Sequence, residues 1–194
     1  MRIAWGASIA AQALYASALW HRGQRDWWTT YMIWGVGRSL FLMPFDGVGY
    51  WWAWILTEPI DAIIKLSAVW EIASRCERPR YLMTGIGLAV LLCSCSLIIQ
   101  PVEPLARQAA RLLFEFTAYG AVGVAAGSYF SGLAPNLGVI GCLCIDAFRS
   151  IAEHFIATRG EVKALNLLYL CVSAMFVSVV ALREMNGKPY RHHG

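Results

Sequence analysis

The chain has few charged residues and no long polar connection. Charged residues make up 14% of its 194 residues and hydrophobic residues 58%, where a soluble domain averages about 25% and about 45–50%. A water-soluble protein of this length could not bury so much apolar surface. This composition excludes a disordered chain, a coiled coil and a soluble enzyme, and it predicts a polytopic integral membrane protein.

Catalytic and cofactor-binding motifs are missing as well. Of four histidines only His154 falls in an apolar run, so a bis-histidine haem would have no ligand pair. The last apolar run, 164–182, contains no lysine for a retinal Schiff base. The Cys-x-Cys pairs at 93–95 and 142–144 would point to different sides of a helix and cannot form half a metal site. We therefore expect no enzyme activity, no cofactor and no metal.

Seven apolar runs are long enough to cross a membrane. About 30 Å of hydrocarbon at 1.5 Å rise per residue requires roughly 20 residues per helix. The fold class predicted is all-α, a single transmembrane domain over 1–194 built as a seven-transmembrane-helix bundle. The predicted spans are about 3–20, 27–45, 50–74, 81–100, 109–129, 137–157 and 164–182.

Basic residues in the predicted loops indicate an orientation. Eight lysines and arginines fall in the loop after the first span, the loop after the third span and the C-terminal tail, which share one side of the predicted membrane. Five fall on the other side, with the N-terminus. Positive charge concentrates in cytoplasmic loops, so the N-terminus is expected outside and the C-terminus in the cytoplasm of a bacterial-type inner (plasma) membrane. Basic loops near lipid headgroups account for the net charge of +4 without a nucleic-acid partner.

The chain resembles itself when shifted by 85 residues. Between 31–62 and 116–147 seven of 32 positions are identical, including Ile60-Asp61-Ala62 against Ile145-Asp146-Ala147. Repeat units of 1–80 and 86–163 would each hold three spans, and an odd number of crossings inverts the second copy. The alternatives are a 3+3 inverted-topology repeat with one extra helix, or a chance match.

Eight charged residues lie in the interior of the predicted spans, away from their ends, where each charge costs roughly 2.5–3.5 kcal/mol. In the third and sixth spans they are spaced i, i+3 and i+7, so that each set shares one helix face. Such stripes are expected to face the interior of the bundle. The acids are Glu58, Asp61, Glu115, Asp146 and Glu153, and the bases are Arg38, Lys65 and Arg149.

The five acids outnumber the three bases, which leaves carboxyl groups without a basic partner. Such groups near mid-membrane are candidates for binding a proton or a cation. One alternative is that the charges are structural pairs, Asp61 with Lys65 and Asp146 with Arg149, which hold helices in register. A ligand-sensing role is the other.

Two functions are compatible with these patterns. The first is a small transporter or channel whose substrate, an ion or a small molecule, is not identified by the sequence. The second is a seven-helix sensor or accessory subunit without transport activity. Besides membrane lipids, the expected partners are a second copy of the chain or a membrane protein complex, since Gly123 and Gly127 have the small-residue spacing of close helix contacts.

Overall fold

The computed structural model describes residues 2–74, 79–99, 104–130, 137–154 and 159–186. These residues form seven α-helices and no strand, which confirms the all-α prediction. The helices are α1 (Arg2–His21), α2 (Trp27–Leu42), α3 (Gly47–Ser74), α4 (Pro79–Ile99), α5 (Leu105–Phe130), α6 (Leu137–His154) and α7 (Arg159–Asn186).

Local sequence explains how the first three helices are joined. The chain leaves α1 through Gly23, whose φ of 78° is accessible to glycine at little steric cost. The Asp26 side chain caps α2 by accepting a hydrogen bond of 2.9 Å from the Thr29 backbone N–H. Gly47, with φ of 56°, begins α3. Both reversals are short, so α1, α2 and α3 run alternately up and down.

Contacts at the two ends of the bundle show this alternation. At one end, which we call the N-terminal rim, Arg2 at the start of α1 pairs with Asp46 before α3, at 3.0 Å. At the opposite rim Arg22 pairs with Glu184 near the end of α7. The backbone N–H of Trp27, which begins α2, donates to Glu71 near the end of α3, at 2.9 Å.

Six helices form a closed ring, and the remaining one lies outside it. Neighbours in the ring follow the order α1, α2, α3, α5, α6 and α7, and α7 packs back against α1. Helix α4 packs extensively against α5, where Ala89 is fully buried and a side chain at Gly120 would be in van der Waals contact with it. The interior of the ring is therefore enclosed by α1–α3 and α5–α7.

Large apolar side chains are exposed on the described part of every helix, although on α5 the exposed one is Leu105, its first residue. Leu14, Leu56, Met83, Phe148 and Met175 are each more than half exposed, on five different helices. Within the described residues one stretch, Lys163–Asn186, is long and apolar enough to cross a membrane by length and composition, and Ile86–Cys95 is a shorter apolar stretch. That finding covers one helix of seven, so seven membrane crossings stay a prediction.

Candidate functional site

The charged residues of α3 lie inside the bundle. Glu58 is 0% exposed, Asp61 4% and Lys65 1%. They occupy successive turns of one helix face, as the i, i+3, i+7 spacing requires. Pro59 lies within the same helix and cannot donate a backbone hydrogen bond to the turn before it.

Arg38 of α2 joins the first two acids of this stripe. Its Nη2 donates to Glu58 Oε2 at 2.6 Å and its Nη1 lies 3.0 Å from Asp61 Oδ1. The Nε of the same guanidinium donates to Thr57 Oγ1 at 3.1 Å. The planar fork of arginine suits two acceptors at once, so Arg38 connects α2 to two turns of α3.

Lys65 connects the α3 stripe to the sixth helix. Its Nζ lies 3.6 Å from Asp61 Oδ2 and 3.7 Å from Asp146 Oδ2. The pairing of Asp61 with Lys65, which the sequence offered as a structural alternative, is thus present in the structure. The two aspartates that match in the 85-residue shift are brought to the same ammonium group.

Aromatic side chains with polar tips complete the surroundings of both aspartates. Trp34 Nε1 donates to Asp61 Oδ1 at 3.1 Å. Asp146 accepts from the Tyr169 hydroxyl at 2.7 Å and from the Tyr31 hydroxyl at 3.4 Å. Helices α2, α3, α6 and α7 therefore converge on one buried polar cluster, which we call the central cluster (Tyr31, Trp34, Arg38, Glu58, Asp61, Lys65, Asp146 and Tyr169).

Glu115 of α5 has a basic partner on its own helix. Its Oε1 accepts from Arg111 Nε at 3.2 Å, one turn earlier on α5. The predicted span 109–129 contains Arg111, which is nevertheless one of the five basic residues counted on the side of the N-terminus. The structure places it within α5, with its side chain 26% exposed, so the count of three bases against five acids omitted one partly buried partner.

Two of the predicted site residues cannot be compared with the structure. The side chains of Arg149 and Glu153, both in α6, lie outside the described part of the chain. Among the described side chains the charged group nearest Asp146 is Lys65 of α3. Trp34, Tyr31 and Tyr169 were missed by the sequence reasoning, although an aromatic with a polar tip inside an apolar run needs a hydrogen-bond partner.

A cavity of about 620 Å³ leads from the N-terminal rim to the central cluster. At the rim its lining includes Asp46, Trp51 and Arg107, and the Arg107 guanidinium lies 3.9 Å from the centre of the Trp51 ring. At its inner end Lys65 and Asp146 are among the lining residues. Other lining side chains are Trp5, Gln12, Tyr31, Arg38, Tyr50, Trp54, Asp61, Arg111, Phe114, Glu115 and Asn166.

This arrangement can hold a small dipolar or charged molecule between aromatic walls. Acidic and basic groups both line the space, so opposite charges of a ligand would find partners. The part of the chain that the structure describes contains no cluster of histidine, cysteine and acidic side chains suited to a metal ion. Comparisons with protein-family models, curated proteins and solved structures find no match to the chain.

Proposed function

We propose that the protein is a small integral membrane transporter or channel with a proton- or cation-binding site at mid-membrane. The distribution of polar and apolar groups supports this proposal. Large apolar side chains are exposed on all seven helices, while Glu58, Asp61 and Lys65 are buried. In water this arrangement would expose apolar surface at a cost of about 25 cal/mol per Å²; lipid tails would cover it.

The depth of the central cluster also supports the proposal. Asp61 lies at the middle of α3, Gly47–Ser74, and Asp146 at the middle of α6, Leu137–His154. If these helices cross the bilayer, both carboxylates fall near its midplane. Ionisable groups at that depth are typical of substrate and ion pathways.

The observation that carries the proposal is the cavity. It opens among exposed rim residues, since the side chain of Asp46 is 83% exposed, and it reaches the ion pairs of Lys65 at half depth. A binding space that opens at one rim and reaches charged groups near the middle of the helices is the geometry expected of one state in alternating access.

The packing order is compatible with an inverted repeat. Helix α1 contacts α2 as α4 contacts α5, and α2 contacts α3 as α5 contacts α6. The copies would differ at their first helices, because α1 belongs to the ring and α4 lies outside it. Under this proposal α7 takes the place beside α1 that closes the ring.

Flux measurements on reconstituted protein test the proposal. Proton and monovalent-cation flux would be measured in proteoliposomes under an imposed membrane potential, for the unaltered protein and for Asp61→Asn and Asp146→Asn. We expect flux from the unaltered protein and a loss of at least tenfold in both variants. Glu71→Gln, at the opposite rim and outside the cavity lining, is the control and should keep flux, because an amide oxygen can still accept from the Trp27 backbone N–H.

The alternative is a sensor or accessory subunit without transport. It is favoured by α4, whose described side chains include the exposed apolar Met83, Val90 and Leu91, since such a face suits a protein partner as well as lipid. Absence of flux from folded protein, together with co-purification of a membrane protein that Leu91→Glu releases, would establish it. Flux abolished by both midplane variants would exclude it.

A further inference from the structure

The Lys65 ammonium lies where two helices bring carboxylates together. Its distances to Asp61 and Asp146, 3.6 and 3.7 Å, are nearly equal. Both exceed the usual 2.7–3.2 Å of an N–H···O hydrogen bond. The nitrogen is therefore held between two negative groups by charge, without a short bond to either one.

Two aromatic faces complete the environment of this nitrogen. The ring centres of Tyr31 and Phe114 lie 5.4 and 5.1 Å from Lys65 Nζ, within the distance at which a cation is attracted to a π face. The Lys65 side chain is 2% exposed. Two carboxylates and two ring faces are the groups that recognise a small monovalent cation in a desolvated site.

The charged and hydroxyl neighbours show which group depends most on this cation. Asp61 shares Lys65 with Arg38, which also holds Glu58. Asp146 contacts Lys65 and two tyrosine hydroxyls. Among the described side chains, removal of the ammonium would leave Asp146, whose side chain is 19% exposed, with hydroxyl donors alone, and a partly buried carboxylate without a counter-charge is costly.

We propose that Asp61, Asp146, Tyr31 and Phe114 form a binding site for a small ammonium-type cation, and that Lys65 is its tethered occupant. The chain thus supplies its own cation at mid-depth. Resting on the proposed function, this predicts that flux through the unaltered protein does not require sodium or potassium.

The variant Lys65→Ala vacates the site, and methylammonium is the probe because it replaces the end of the lost side chain. Melting temperatures of the purified full-length protein in detergent would be compared in methylammonium chloride and in N-methyl-D-glucammonium chloride at equal ionic strength. For Lys65→Ala we expect a saturable rise in Tm of about 2–4 °C at several times Kd. The unaltered protein and Lys65→Ala/Asp146→Asn should melt equally in both salts.

Equal melting of folded Lys65→Ala in the two salts would overturn the proposal. If the variant cannot be isolated in the bulky salt, it would be purified in methylammonium throughout. Recovery of monodisperse protein in methylammonium but not in the bulky salt supports a cation site. Aggregation in both salts argues against it. Thermal unfolding does not depend on transport. The melting result therefore tests the cation site, and the flux result tests the proposed transport function independently.

Discussion

Arg38 shows how much depends on a single buried side chain. The guanidinium is 11% exposed, and it neutralises two carboxylates that are 0% and 6% exposed. Desolvation of such groups is offset only while their partners remain in place. Removing Arg38 would leave Glu58 and Asp61 close together with Lys65 as the nearest described cation.

We therefore expect Arg38→Ala to lower the free energy of unfolding by about 3–5 kcal/mol. The matched control is Arg2→Ala, because Arg2 and Asp46 form an arginine–aspartate pair whose side chains are 72% and 83% exposed. Exposed pairs contribute about 0–1 kcal/mol. Thermal unfolding in detergent measures both, and equal losses would contradict the buried role of Arg38.

The sequence predicts part of this residue-scale chemistry. Spacing along one helix predicts the α3 stripe and the Asp61–Lys65 pair, because residues three or four apart share a face. It does not predict that Lys65 also reaches Asp146, or that Tyr169 of α7 donates to it. Contacts between helices depend on how each helix is rotated, which no spacing within one helix determines.

At the scale of elements, α6 and α7 pack closely enough to require a glycine. A Cβ added at Gly141 would lie 2.0 Å from Phe176 Cζ, far inside van der Waals contact. The Phe176 ring, which packs on the main hydrophobic core, therefore fills the space that the missing side chain leaves. Asp146 and Tyr169, which share a hydrogen bond of 2.7 Å, belong to the same two helices.

Gly141→Ala should destabilise the protein by about 1–3 kcal/mol, because the ring must move out of a packed position. Gly37→Ala is the control, since nothing lies within 4 Å of a Cβ there and alanine favours a helix over glycine by about 1 kcal/mol. Thermal unfolding should separate the two variants, and Phe176→Leu should partly restore Gly141→Ala. If Gly141→Ala left the free energy of unfolding unchanged, α6 and α7 would have room for the added methyl group, and the close contact with Phe176 would be contradicted.

Helix positions were more predictable than helix ends. The apolar runs coincide with the seven helices, but α7 extends from Arg159 to Asn186 beyond the predicted 164–182. Helix α5 begins four residues before the predicted 109 and so includes Arg107. Apolar runs report only the part of a helix that avoids charge, whereas backbone hydrogen bonding continues through polar end turns.

For the whole molecule, the contacts at the two rims place the first two connections at opposite ends of the bundle. Asp46 lies at the end that contains Arg2, and the turn after α1, with Arg25, lies near the end that contains Arg22 and Glu184. The predicted orientation therefore places Asp46 outside the membrane and Arg25 in the cytoplasm.

Labelling of single cysteines tests the membrane topology. In a variant whose six native cysteines are replaced by serine, Asp46→Cys should react with a membrane-impermeant maleimide in intact cells. Arg25→Cys should react only after the membrane is permeabilised. Labelling of both positions in intact cells, or reversal of the pattern, would contradict the predicted orientation.

The sequence by itself determined that the chain is helical, where its seven helices lie and which charges sit in their apolar middles. These follow from local physics, since run length, turn residues and i, i+4 spacing are properties of one segment. The ring that leaves α4 outside, the cavity and the meeting of Asp61 with Asp146 at Lys65 were decided by tertiary packing. Those features depend on relative rotation and order of helices, which the close fit of side chains such as Phe176 on Gly141 selects.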